Sequence, residues 1–143
     1  MTLTWENIEQ LVKELSRKIL LDFQPEIIVA IAEGGWVPAI LLKKYIKCPY
    51  YSIRCKNYDD KNRQLKEVEL QDLNGIAIEG KSVLIIDEVA DSGTTLESVY
   101  KYILTLGPSE LRTAVLHKKQ KSIFSPNYIS ETTGNEWIHY PWE

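Results

Sequence analysis

Val83–Thr95 reads VLIIDEVADSGTT. Val83-Leu84-Ile85-Ile86 is an apolar run of the kind found in strands covered on both faces. Two adjacent carboxylates follow, Asp87 and Glu88. A third carboxylate, Asp91, precedes the small polar turn Ser92-Gly93-Thr94-Thr95. Beyond it, Leu96, Val99, Ile103 and Leu106 recur at helical spacing. The stretch reads as buried strand, acidic strand end, tight loop and helix start.

Each part suits a sugar phosphate. Backbone N–H groups of a glycine-containing loop at a helix start favour an anion. Gly93 permits the positive φ such a loop often needs. Ser92, Thr94 and Thr95 add hydroxyl donors, while Asp87 and Glu88 are acceptors placed to meet two ribose hydroxyls. Neighbouring strand residues point to opposite faces, so the two carboxylates are not equivalent unless the strand has already ended. The dinucleotide pattern G-x-G-x-x-G and the P-loop pattern G-x-x-x-x-G-K-[ST] are both absent. The plainer reading is an ordinary strand end with a polar helix cap.

The run DEVADSGTT resembles the phosphoribosyl-pyrophosphate (PRPP) signature of the type I phosphoribosyltransferases. That resemblance implies an α/β fold in one domain over residues 1–143. It would be a parallel sheet flanked by helices, with a small hood from about 1–8 and 118–143 and a flexible loop at about 57–72.

Upstream, Thr4 is placed to cap a helix whose Ile8, Leu11, Val12, Leu15 and Ile19 share one face. Glu26–Ala32 is a near-continuous apolar run, as in a strand covered on both faces, broken by Glu33-Gly34-Gly35. Trp36–Ile46 reads as the next helix, with Pro38 tolerated in its first turn. Tyr50–Cys55 reads as a strand, so the order is a parallel crossover unit. Consecutive glycines at a strand end allow a ligand close to the backbone. In the family this loop holds pyrophosphate, and the residue before the glycines is usually basic; here it is Glu33. Arg54, Lys56 and Tyr58 stand at the next strand's end, as phosphate ligands or as ordinary solvated side chains. Residues 56–73 are polar and charged, a long loop or a loose β-hairpin. Asn57-Tyr58 resembles the pair that opens the family's catalytic loop, with Asn in place of Ser. The resemblance implies a loop that closes over PRPP and excludes water.

Downstream, Gly107-Pro108 stops the central helix, Leu111–His117 reads as a strand, and Tyr128-Ile129 as a short one. Ala114-Val115-Leu116-His117-Lys118 resembles the strand end at which 6-oxopurine enzymes carry a lysine for the purine O6. Trp137-Ile138, then Pro141-Trp142-Glu143, is similar to the closing segment of the short xanthine–guanine enzymes, as is Thr4-Trp5 at the start. His117 and His139 read as structural.

From the resemblance, Ala90–Thr95 cradle the 5′-phosphate, with Glu33, Gly34 and Gly35 at the pyrophosphate. Asp87 and Glu88 hold ribose hydroxyls, and Asp91 is the general base at purine N7. Lys118 contacts O6, Trp137 stacks on the base, and the Ile138 backbone addresses the 2-position. The implied cofactor is Mg²⁺, with Glu143, Asp87 and Glu88 as candidate ligands. The implied reaction transfers the phosphoribosyl group from PRPP to hypoxanthine, guanine or xanthine and releases pyrophosphate. The alternatives are a PRPP-sensing regulator of the same fold and a transferase for another base.

Composition narrows the partners. The 143 residues are 44% hydrophobic, enough for an ordinary core, and the net charge of −3 offers no basic field to nucleic acid. No apolar run approaches the ~18 residues of a membrane span. The polar, acidic start does not read as a signal peptide. Cys48 and Cys55 lack zinc-site spacing and are expected as reduced thiols in a cytoplasm. A homodimer or higher homo-oligomer is what the family resemblance implies.

Overall fold

The computed structural model describes residues 1–58, 64–70, 73 and 75–143. A central sheet is built from β1 (Ile27–Ala32), β2 (Tyr50–Tyr58), β3 (Gln64–Leu70), β4 (Ser82–Ala90), β5 (Glu110–Lys119) and β6 (Tyr128–Thr133). The strand order is β3-β2-β1-β4-β5-β6. Five strands run parallel, and β3 pairs antiparallel with β2. Among the described residues the helices are α1 (Trp5–Leu20), α2 (Trp36–Leu42) and α3 (Thr94–Leu104).

The helices cover both faces of the sheet. Ile8, Val12, Leu15 and Ile19 of α1, with Ala39 and Leu42 of α2, pack on Ile28, Leu84, Ile86, Ala114 and Leu116. Leu96, Val99 and Ile103 of α3 pack on Val29, Ile31, Val83, Ile85 and Val115 from the other side. This explains why β1 and β4 read as unbroken apolar runs: each successive side chain meets a helix layer. Burying a side chain such as Ile8 or Leu15 contributes ~1.5–3 kcal/mol. Thr4 caps α1 in a reciprocal box with Asn7, whose side chain accepts from the Thr4 N–H at 2.8 Å.

The two ends of the chain meet. Leu3 N–H donates to the His139 carbonyl at 2.9 Å and His139 N–H to that of Met1 at 2.8 Å. Trp5 lies 6.0 Å from Trp142, which stacks on Tyr140 at 4.7 Å. These contacts tie the first residues of the chain to its last segment.

Several elements depart from the expected bounds. α2 ends at Leu42 rather than Ile46, its last residues relaxing into turns. β2 runs on to Tyr58 and pairs with β3, so the hairpin reading of this stretch holds where it is described. Asn57 and Tyr58 therefore sit in a strand rather than opening a loop. The rest of the expected flexible loop, residues 59–63 and 71–72, lies outside the described residues. β4 does not stop before its carboxylates but continues through them to Ala90.

Candidate active site

The end of β4 positions the acidic groups by a slip in strand alternation. Leu84 and Ile86 face the α1–α2 layer, and Val83 and Ile85 the α3 layer. Strict alternation would return Val89 to the α3 side. Instead Val89 packs with Leu84 and Ile86, while Ala90 packs with Ile85. β5 changes sides at the same level: Leu116 belongs to the α1–α2 layer, and so does Tyr140, the partner of His117. Pairing keeps one offset across the slip, Asp87 with Val115 and Val89 with His117.

This slip moves the lysine. Lys119, not Lys118, lines a cavity of about 220 Å³ with Asp91, Trp137, Ile138, Tyr140 and Glu143. The Lys119 side chain is almost wholly buried, and its ammonium lies 5.4 Å from the centre of the Trp137 ring. Lys118 is absent from that lining, and its ammonium reaches the Lys119 carbonyl at 3.4 Å. Lys118 was expected to face the base, but of the two lysines it is Lys119 whose side chain enters this cavity, because regular alternation fails one turn of the pleat earlier. Trp137 and Ile138 line the same cavity. Val89 and Tyr140 complete the wall.

Asp91 is held by cations. Its Oδ1 lies 3.0 Å from Lys121 Nζ and 3.4 Å from Lys119 Nζ. Neither approach is aligned as a directed hydrogen bond, so the carboxylate's attraction to them is chiefly electrostatic. Asn135 accepts the Lys121 N–H at 3.1 Å and fixes that turn.

Beside this cavity lies a second of about 180 Å³, lined among others by Asp87, Ala90, Ser92, Gly93 and Thr95. Gly93 precedes α3 with φ +88°, the left-handed region that favours glycine. A Cβ on Gly93 would come within 2.6 Å of the Phe124 amide nitrogen. Ile123 N–H donates to the Ser92 carbonyl at 2.8 Å, so the segment after β5 buttresses the loop. Thr94 turns inward on its own loop, with its hydroxyl 3.2 Å from that of Ser92.

Asp87 is buried at 6% exposure, and its Oδ1 accepts the Glu88 N–H at 2.9 Å. Burial pushes its carboxyl well above the ordinary value, and the neighbouring Glu88 charge adds to the rise. Glu88 is also raised, by burial first and then by Glu143, against hydrogen bonds that lower it. The Glu88 carboxylate lies over Gly34, where any side chain would collide with it. At Gly35 a Cβ would meet the Ile31 and Ile86 carbonyls at 2.6 and 2.8 Å. Gly35 is thus required by the close approach of backbone, while at Gly34 the end of the Glu88 side chain would have to give way. The Ala32–Glu33 peptide is cis.

The chain's last segment is tied to the acids through His117 and Tyr140. His117 Nδ1 and the Tyr140 hydroxyl are 2.9 Å apart, and that hydroxyl donates to the Glu88 carbonyl at 3.4 Å. Burial lowers the His117 pKa and raises that of Tyr140. Tyr140 N–H donates to Glu143 Oε1 at 2.8 Å, which turns the final residue toward the cavity.

Among the described residues, no group of three or more His, Cys, Asp or Glu side chains is arranged to hold a metal ion. Asp87, Glu88 and Glu143 are therefore not a ready-made cage. They nevertheless fit a hard cation that brings oxygen ligands of its own. Asp87 and Glu88 are adjacent buried carboxyls whose pKa values are raised first by burial and then by neighbouring charge, and a divalent ion would favour their ionised forms.

A family model described as phosphoribosyl transferase domain matches residues 2–143. The chain is 28% identical over 187 residues to the hypoxanthine-guanine phosphoribosyltransferase of Saccharomyces cerevisiae, spanning 99% of this chain and 84% of that one. It is 27% identical to the xanthine-guanine phosphoribosyltransferase of Chromohalobacter salexigens, spanning 99% and 83%. The crystal structure of a purine phosphoribosyltransferase from Pyrococcus horikoshii superposes with a TM-score of 0.89 at 29% identity, covering 100% of this chain and 93% of that one. The five parallel strands and flanking helices match that neighbour's fold.

Proposed function

Because the chain belongs to the phosphoribosyltransferase family, matched over residues 2–143, we propose that it makes purine nucleoside 5′-monophosphates from PRPP and a 6-oxopurine. The observation that carries the base assignment is Lys119 facing Trp137 and Asp91 across one small cavity. A buried ammonium offers only donors, which suits a 6-oxo group and not a 6-amino group. The Trp137 ring stacks on any purine face, so the choice of base falls to Lys119. The Ile138 backbone stands at the cavity wall, where the 2-position of the purine would lie.

The 5′-phosphate sits in the Ala90–Thr95 loop, against the N–H groups that open α3. Asp87 and Glu88 accept from the ribose hydroxyls and offset the positive charge that develops at C1′. The bond from C1′ to diphosphate breaks as the bond from C1′ to the purine nitrogen forms. The displaced purine proton passes to Asp91, which Lys119 and Lys121 hold in place. Gly34 and Gly35 present backbone to the departing diphosphate.

Mg²⁺ belongs to the same proposal. Asp87 and Glu88 would hold it, with Glu143 as an outer ligand, and it would neutralise leaving-group charge. Assembly as a homodimer is part of the proposal, and equilibrium sedimentation measures it directly. Residues 1–143 would act as one domain. No helix of the described residues is long and apolar enough to cross a membrane.

The deciding assay supplies hypoxanthine, guanine, xanthine and adenine separately, with PRPP and Mg²⁺, and follows nucleotide formation. One or more of the first three should turn over and adenine should not. Adenine turnover equal to that of the best oxopurine would reject the base assignment.

A further inference from the structure

Glu33 places a carboxylate where a diphosphate is expected, and its partner explains how the site tolerates it. Arg54 Nη1 lies 3.1 Å from Glu33 Oε1. Arg54 stands opposite Ala32 in the parallel pairing of β1 and β2, level with the last residue before the loop. Its guanidinium also lies over the Trp36 ring, 5.3 Å from the ring centre. Trp36 opens α2, and its N–H donates to the Glu33 carbonyl at 3.0 Å. One cation is thus held by both ends of the glycine loop.

From this geometry we infer that Arg54 is the diphosphate-binding cation of this enzyme, and that Glu33 is a positioning residue acting through it. The inference rests on the phosphoribosyltransferase reading, in which residues 33–35 face the diphosphate of PRPP. An ion pair with side chains 57% and 66% exposed adds little to stability, so its consequence is positional. Glu33 alone would repel an anion. Paired with Arg54, its charge is neutralised, and the guanidinium is steered toward the loop. A planar fork of N–H donors suits phosphate oxygens better than a point charge does. The basic residue has in effect moved from the loop to the neighbouring strand.

Five proteins test this: wild type, Arg54→Gln, Arg54→Lys, Glu33→Gln and the double variant Arg54→Gln/Glu33→Gln. Each is assayed for the KM of PRPP, the KM of the purine and kcat, and for PRPP affinity by calorimetry with Mg²⁺. Arg54→Gln should weaken PRPP about tenfold to a hundredfold and leave the purine KM in place, which also shows that the variant is folded. Glu33→Gln should raise the PRPP KM by a smaller factor with kcat little changed, and Arg54→Lys should recover only part of the loss. The double variant decides the role of Arg54. As a diphosphate ligand its loss persists without Glu33, so the double variant stays as weak as Arg54→Gln. Were Arg54 only a screen for Glu33, removing both would restore wild-type affinity, and that result overturns the inference. Unchanged PRPP affinity in Arg54→Gln overturns it as well. A wild type that binds no PRPP rejects the family reading of the site itself, whereas a binding wild type with an unmoved variant rejects only the role of Arg54.

Discussion

Lys119 Nζ and Asp91 Oδ1 lie 3.4 Å apart across the mouth of one small cavity. The first is the donor proposed for the purine O6 and the second the acceptor for the purine proton. Their attraction sets both before the base arrives, which lowers the ordering cost of binding. A 6-oxopurine whose edge meets the two side by side would accept from one and donate to the other.

Lys119→Ala should lower kcat/KM for hypoxanthine by roughly tenfold to a hundredfold, the worth of a hydrogen bond to a buried charge. Lys118→Ala should change it by less than about threefold, as surface substitutions usually do. Steady-state kinetics on the two variants separates them. A large loss in Lys118→Ala with none in Lys119→Ala would return the role to Lys118.

Asp91→Asn keeps the size of the side chain but cannot take a proton. Turnover should fall by ~10²–10⁴, the usual worth of a positioned base. The KM for PRPP should move little, because the loop's N–H donors are untouched. A variant with wild-type turnover would remove Asp91 from the chemistry.

Gly93→Ala combines two costs. The left-handed conformation costs a non-glycine residue ~1–2 kcal/mol. The added Cβ also presses on the Phe124 nitrogen at 2.6 Å. The loop must shift to relieve it, so the unfolding midpoint should fall and PRPP affinity should fall with it. Thermal unfolding with and without PRPP reads both effects. A variant as stable as wild type, with unchanged PRPP binding, would show that the loop yields without consequence.

How much of this site was legible depended on range along the chain. β1, β4 and α1 were readable because burial on both sheet faces, or on one helix face, leaves a local periodic pattern. The phosphate loop was readable because its small residues are contiguous. Which of Lys118 and Lys119 enters the cavity was not legible, since a slip in alternation leaves no mark in a run of apolar residues. The pairing of Lys121 with Asp91 spans a strand and a helix, and that of Arg54 with Glu33 a full crossover. No local pattern encodes either. The charge of Glu33 was visible at once, but its neutralisation required the β1–β2 register. The hairpin of β2 and β3 stayed ambiguous because its polar residues suit a loop equally well.

The buried acids should make the unliganded protein sensitive to alkali rather than to mild acid. Burial, and then the charge of Glu88, raises the Asp87 carboxyl well above its ordinary value of 3.8. Glu88 is raised in the same direction. Between the ordinary and the raised values the folded protein holds more protons than the unfolded chain. Stability from these groups is therefore complete below about pH 4 and is lost as pH climbs through the raised values. Asp87→Asn removes the titration while its amide oxygen can still accept the Glu88 N–H. At pH 8 the variant should unfold at a higher temperature than wild type, and the difference should shrink steadily on acidification toward pH 4. The same variant should lose activity, since an amide cannot offset developing charge at the ribose as a carboxylate does. Unfolding midpoints measured across this pH range, without substrate, test the claim. A variant less stable than wild type at pH 8 would mean that the Asp87 charge is compensated in the folded protein rather than merely buried.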